Sequence, residues 1–198
     1  GLVQVALLFV GGVIISLTLL FLSADALQAA GGLYLLVELI AVGIFAVRIV
    51  PTAVRIDWAG GTAARHLAAS SVFVLIATAI FLYVIYRFIA DPSIAGDPSS
   101  IAGVLTASDH AAFIGVMTNL ILGLAFAFAA DRHDSGVGAA HVAFWLMNLG
   151  LIVFLIGLIA ESPELKRIGS PAMGVGVLIA LAIVTMRLRR SDLSAAEA

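Results

Sequence analysis

Six long apolar stretches run through this chain, separated by short polar segments. They cover residues 2–22, 33–50, 67–88, 111–130, 142–160 and 171–186. Most approach the ~20 residues that an α-helix needs to cross a ~30 Å hydrocarbon core. Because no water at that depth can satisfy backbone N–H and C=O groups, apolar runs of this length must be helical. The sequence therefore predicts an all-α, polytopic membrane bundle of about six transmembrane helices, forming one bundle over residues 1–198.

The composition excludes several classes of protein. Hydrophobic residues make up 63% of the chain and charged residues 11%, and the mean hydropathy is +1.19, which is far from the globular range. The net charge of −2 gives no basic surface for nucleic acid. The absence of cysteine excludes disulfides, thiolate catalysis, iron–sulfur clusters and cysteine-ligated zinc. No complete catalytic site is visible, so the sequence leaves open whether the protein is an enzyme.

The distribution of Lys and Arg predicts the orientation, because cytoplasmic loops carry an excess of them. One set of loops and the C-terminus hold most of the basic residues, namely Arg48, Arg55, Arg65, Arg132, Arg187, Arg189 and Arg190. The alternate loops hold only Arg87, Lys166 and Arg167. We therefore expect an integral protein of the cytoplasmic membrane with both termini inside and the Asp91–Asp109 loop outside.

Helix boundaries are predicted from Gly, Pro and capping residues. Gly31-Gly32 is expected to separate the first two helices, and Pro51 to follow the second. Ser108-Asp109 is a plausible cap for the fourth helix, where a carboxylate is favourable near the positive end. Ser162-Pro163 should end the fifth helix, and the sixth should begin at Pro171.

Ionisable residues within apolar spans are costly and are therefore the candidates for function. Glu38 lies in the second window and is either a hydrated interfacial carboxylate, a proton-carrying group or a partner of an outer histidine. His110 opens the predicted fourth helix on the outer side, whereas His66, His133 and His141 lie on the inner side. The inner three could converge on a metal, but no HExxH pattern fixes such a geometry.

Two asparagines complete the set of polar residues within the spans. Asn119 and Asn148 fall near the midplane of neighbouring predicted helices. We expect them to hydrogen-bond to one another and so to stabilise helix association.

From Asp109 onward the chain resembles a known family. The segments Asp109–Phe128 and His141–Gly157, joined by a polar turn with Arg132, are similar to late helices of the haem–copper oxidase catalytic subunit, especially its C-type and nitric-oxide-reductase-like branches. In that family a histidine-bearing helix ends in a basic turn, and the next helix begins near a His-Phe-Trp pattern. The segment Leu165–Gly176 likewise resembles the start of the last helix of that core.

The resemblance implies a haem site. His110 corresponds to a haem-ligating histidine of the family, whose oxidases carry a second histidine two residues earlier, where this chain has Ser108. The copper-binding histidines and their cross-linked tyrosine are missing, so what the resemblance implies is a single b-type haem. The segment that begins at Arg65-His66 also resembles the early helix that supplies the other low-spin ligand.

The two implied ligands conflict with the predicted topology. Consecutive helices run antiparallel, which places His66 and His110 near opposite faces of a ~30 Å core. Three arrangements remain: an early helix start that sinks His110 deeper, a five-coordinate haem, or one haem shared by His110 of two protomers across a two-fold axis. Glu38 is expected to pair with the His110 region and to couple the haem to protons.

The sequence favours a membrane b-type haem protein for electron transfer or diatomic-gas sensing. Its expected partners are the lipid bilayer and either a second copy or a larger respiratory complex. The alternatives are a non-haem integral scaffold or accessory subunit, and a small transporter whose path passes Glu38, although inverted repeats are lacking.

Overall fold

The computed structural model describes residues 24–95, 97–129 and 137–196, together with isolated positions between residues 3 and 17. Within these residues all regular secondary structure is helical. The chain divides into two compact units, Gly1–Val54 and Arg55–Ala198. The first predicted span, residues 2–22, lies largely outside the described residues, and a single bundle over residues 1–198 stays a prediction.

Helix α1 runs from Ala24 to Arg55 and contains a candidate membrane span, Leu33–Arg55. The predicted break at Gly31-Gly32 and the predicted end at Pro51 are wrong, because the helix continues through both. In a bilayer a broken helix exposes backbone groups that no water can satisfy. This cost exceeds the weak helix propensity of Gly and Pro, which membrane helices therefore tolerate.

The second unit is an antiparallel succession of helices. Helix α2 runs from Thr62 to Ala90 and is followed by two short 3₁₀ turns, Pro92–Ala95 and Pro98–Ile101. Helix α3 consists of three continuous stretches: an α-helix from Ala102 to His110, a π-helix from Ala111 to Thr118, and an α-helix from Asn119 to Phe128. Helices α4 and α5 span Val137–Ile159 and Pro163–Ala196.

The described residues contain five helices that are long and apolar enough to cross a membrane. They are Leu33–Arg55, Thr62–Arg87, Ser99–Phe128, Gly138–Ile159 and Pro163–Arg189. The all-α class and the integral membrane character are therefore supported. A sixth span would have to be formed by the first apolar stretch, residues 2–22, which lies largely outside the described residues.

Helix α3 begins earlier than the sequence predicts. Ser108-Asp109 is not a cap, because both residues lie inside the helical stretch Ala102–His110. Asp97 instead caps the preceding 3₁₀ turn Pro98–Ile101, where its side chain accepts a hydrogen bond from the Ser99 N–H at 3.0 Å. The reason is tertiary packing, since Val104 and Ala107 at the start of α3 are buried in the core. The polar connection after Asp91 is correspondingly shorter than predicted.

Helix α5 also begins before its predicted start at Pro171. It starts at Pro163, where proline is favourable because the first helical N–H needs no partner. Ser162 caps it by accepting a hydrogen bond from the Leu165 N–H at 3.3 Å. The turn between α4 and α5 contains Glu161 at φ 53°. The fifth predicted helix corresponds to α4, and its predicted end near Ser162-Pro163 is confirmed.

Helix α4 is the central element of the second unit. Half of its membrane window is buried, against a third for α2, α3 and α5. It packs closely on α5 because glycines let the two backbones approach. A Cβ on Gly176 would collide with the backbone nitrogen of Met147, and one on Gly150 would collide with that of Met173. Two apolar clusters result, one around Leu151 towards the α4–α5 turn and one around Met147 towards the other end.

Candidate functional site

A buried polar network joins α2, α3 and α4 between these two clusters. Asn119 on α3 donates from Nδ2 to Asn148 Oδ1 on α4 at 2.8 Å, which confirms the predicted pairing. Asn148 in turn donates to the Phe144 carbonyl at 2.8 Å. Asn119 also donates to the Gly115 carbonyl at 2.9 Å. These bonds satisfy both amides without water, as a membrane interior requires.

His66 on α2 belongs to this network. Its Nδ1 lies 2.8 Å from Asn119 Oδ1. Since the Asn119 amide nitrogen already donates elsewhere, its oxygen must accept, and His66 therefore carries its proton on Nδ1. The other nitrogen, Nε2, is buried without a partner. His66 has 0% exposure and is enclosed by the rings of Phe126 at 5.5 Å and Phe144 at 4.9 Å. A ligand as large as haem has no access to it.

Arg65 and His141 form a second polar pair beside it. Arg65 is completely buried, and its Nη1 lies 2.6 Å from His141 Nδ1. Its guanidinium stands 5.1 Å from the centroid of the Phe144 ring, a cation–π arrangement. The second ring nitrogen of His141, Nε2, lies 3.0 Å from Trp145 Nε1. Arg and Trp only donate, so the shorter contact makes Nδ1 the acceptor and leaves the proton of His141 on Nε2.

His110 has a different environment from the other two described histidines. It is half-buried on α3, and its Nδ1 lies 2.8 Å from the Thr106 carbonyl. A carbonyl only accepts, so Nδ1 carries the proton and Nε2 has a free lone pair. This is the tautomer of a metal-binding histidine whose orientation is fixed by its own backbone. The ring of Phe154 on α4 contacts it edge-on, with 5.1 Å between the ring centroids.

The position of His110 differs from the sequence prediction. It does not open its helix at the membrane edge but lies within the candidate span Ser99–Phe128. At 1.5 Å per residue it is about 16 Å from residue 99, near the middle of a ~30 Å core. The early helix start of the first arrangement is therefore present, but it does not bring His110 to His66, which contacts Asn119 further along α3.

The backbone changes immediately after His110. The π-helix occupies Ala111–Thr118, and π-helical segments are frequent at functional sites. Its altered hydrogen bonding is supported by side chains: the Ser70 hydroxyl donates to the Val116 carbonyl at 2.9 Å, and the Thr118 hydroxyl to the Phe113 carbonyl at 3.1 Å.

The candidate residues do not converge on one centre. His66 contacts Asn119, which lies about 13 Å further along α3 than His110 at 1.5 Å per residue. His133 lies outside the described residues, and Glu38 belongs to the other unit. Across the described part of the chain, no three His, Asp or Glu side chains lie close enough to hold a metal ion. The expected convergence of three inner histidines therefore has no support in the described part.

Glu38 lies within α1, in the candidate span Leu33–Arg55. Tyr34 lies one turn earlier on the same helix. The Oε2 atom is buried without a partner. A carboxyl group in this setting is expensive when charged, which makes it a candidate proton carrier.

Two aspartates shape the connection between α2 and α3. Hydrogen bonds from the Ser93 hydroxyl and N–H, at 2.6 and 3.1 Å, lower the pKa of Asp91. Hydrogen bonds from Ser99 likewise lower the pKa of Asp97. Both carboxylates are exposed and fix tight turns rather than forming a site.

Sequence reasoning missed Arg65 and Trp145 as site residues. Arg65 was counted only as a loop charge, although it stands directly before the third apolar window with no acidic neighbour in sequence. The spacing of His141 and Trp145, one helical turn apart, was the available signal for their contact. Nothing in the sequence indicated the π-helix.

No family model, no curated protein and no solved structure matches this chain.

Proposed function

We propose that this chain is a membrane b-type haem protein in which His110 Nε2 is an axial ligand of the iron. The observation that carries the proposal is the setting of His110: an imidazole inside a candidate membrane span, with Nδ1 held by the Thr106 carbonyl and Nε2 without a hydrogen bond in the described residues. Haem iron takes such a ligand, and when bound the haem would supply one-electron or diatomic-gas chemistry.

The donor set fits one axial ligand per chain. His66 is packed between aromatic rings, and His141 offers no lone pair because Nδ1 accepts from Arg65 and Nε2 carries the proton. Neither is free at the depth of His110. Two forms follow: a five-coordinate haem with an open position for a diatomic gas, or one haem between the His110 side chains of two copies, which suits electron transfer.

The first experiment asks whether haem is present and where it is bound. Protein purified after haem-replete expression should give a sharp α band in a reduced-minus-oxidised spectrum. His110→Ala should abolish or strongly shift the Soret band, because it removes the ring nitrogen that is proposed to bind the iron. The matched control, His133→Ala, should leave the band intact. Identical spectra for the two variants would refute the role of His110.

Carbon monoxide separates the two forms of the site. A five-coordinate haem in the reduced protein should bind the gas and shift its Soret band at once. A haem closed by His110 from two copies should bind it slowly or not at all, and the protein should then sediment as a dimer that His110→Ala dissociates.

Glu38 is proposed to couple the haem to protons. Its buried, unpartnered Oε2 supports a proton-carrying role, since a charged carboxyl group inside a membrane span is costly. Glu38→Gln should flatten the pH dependence of the haem midpoint potential. An unchanged slope would leave Glu38 as a structural carboxyl group.

A second candidate is a non-haem integral scaffold or accessory subunit. The observation in its favour is that His110 lines neither of the two apolar grooves of the second unit described here, which lie on the two sides of Trp145. The absence of an α band after haem-replete expression would favour this candidate.

A further inference from the structure

An apolar groove runs along the junction of α4 and α5 in the second unit. Its volume is about 420 Å³, and its walls include His141, Trp145, Leu149, Val153, Ile168 and Ala172. The α4 wall between His141 and Val153 is about 18 Å long at 1.5 Å per residue, more than half of a ~30 Å hydrocarbon core. The groove is thus long, apolar and parallel to the lipid chains, with its polar side chains at one end.

The polar end of the groove has more hydrogen-bond donors than acceptors. Arg and Trp side chains only donate, whereas a neutral imidazole has a single accepting nitrogen. Arg65 makes the shorter contact, 2.6 Å to Nδ1 of His141, so Nδ1 accepts and Nε2 carries the proton. That N–H then faces the Trp145 N–H, with 3.0 Å between the nitrogens. Two donors that face one another need an oxygen acceptor that both can reach.

The charge behind these donors favours an anion. Arg65 has 0% exposure, and its Nε is buried without an acceptor. Its two described hydrogen-bond partners, His141 and Thr62, are both uncharged in this arrangement. Within the described residues this buried cation has no counter-ion, and a negative charge close by offsets the cost of its burial.

We propose that the groove between α4 and α5 binds an acidic membrane lipid. The acyl chain lies along the groove, and an anionic headgroup oxygen accepts hydrogen bonds from His141 Nε2 and Trp145 Nε1. The acidic lipid is an anionic phospholipid, whose phosphate supplies this oxygen. The proposal is independent of the haem and does not involve His110.

The test uses the fluorescence of Trp145, which bromine atoms quench on contact. The chain has two tryptophans, so Trp58→Phe leaves Trp145 as the only emitter. This variant is reconstituted into phosphatidylcholine bilayers that contain brominated phosphatidylglycerol, brominated fatty acid or brominated phosphatidylcholine. We expect an acidic lipid to occupy the groove with about fivefold preference over phosphatidylcholine, as one basic residue near a membrane surface confers. Stronger quenching by the fatty acid than by phosphatidylglycerol would overturn the assignment of a phospholipid.

His141→Phe in the same background keeps a ring but removes the N–H and the partner of Arg65. The preference should then fall to about one, while quenching by brominated phosphatidylcholine persists and reports an intact groove. Thr185→Val is the matched control and should retain the preference, because the Thr185 hydroxyl bonds to the Leu181 carbonyl of its own helix.

Equal quenching by acidic and zwitterionic lipids in the Trp58→Phe protein would overturn the proposal, and so would a preference that survives His141→Phe. The first comparison is made with the groove unaltered, so it decides the matter even where the His141 variant does not fold.

Discussion

Asn119 provides the most direct test of the polar network, because it is fully buried and joins three helices. Asn119→Leu keeps the side-chain volume close to native but removes the 2.8 Å bonds to His66 and Asn148. Interhelical hydrogen bonds in membrane proteins average about 0.6 kcal/mol and reach about 1.7 kcal/mol. Two such bonds give about 1 to 3 kcal/mol. We expect the upper part of this range, since the orphaned His66 Nδ1 has no access to water.

The assay is the free energy of unfolding in mild detergent, measured by steric trapping or by titration with a denaturing detergent. Asn148→Leu and the double variant complete a cycle whose coupling energy should be about 0.6 to 1.7 kcal/mol. Thr185→Val is the matched control, because the Thr185 hydroxyl bonds only to the Leu181 carbonyl of its own helix. If Asn119→Leu costs no more than this control, the network does not hold the three helices together.

Three further predictions test the helix packing, the topology and the connection between α2 and α3. Gly176→Val should lower the free energy of unfolding by more than about 1 kcal/mol, because its Cβ meets backbone of α4 that cannot move aside; an unchanged unfolding midpoint would contradict this packing. Cysteine at Ser99 should react with an impermeant maleimide in intact cells and cysteine at Ser135 should not, and the reverse result would invert the orientation. Because its folded pKa lies below the ordinary 3.8, Asp91 should contribute stability that is present above that pH and is lost as the pH falls through the lower folded pKa. Ser93→Ala should remove this contribution, and it is measured as the difference in thermal midpoint between neutral pH and pH values below about 4.

The positions of the helices in the membrane could be predicted largely from the sequence. Apolar runs of this length form α-helices in a bilayer, because every backbone N–H and C=O must find a hydrogen-bond partner within the segment. The pairing of Asn119 with Asn148 could be predicted for the same reason, since a side-chain amide inside a membrane needs another polar group as its hydrogen-bond partner. The boundaries at Pro51, Ser108 and Pro171 were wrong, because local capping and breaking preferences are weaker than the cost of exposed backbone at that depth.

Only the tertiary structure decided the state of each histidine. The sequence distinguished His66, His110 and His141 by their positions in the apolar windows, but each proton is placed by a partner that is set by packing. Asn119 fixes the proton of His66, the Thr106 carbonyl that of His110, and Arg65 that of His141. The depth of His110 follows from the burial of Val104 and Ala107, which extends α3 towards its N-terminus. Hydropathy reports how much of a segment is apolar, whereas the tautomer of a ring depends on which single atom lies about 3 Å from it.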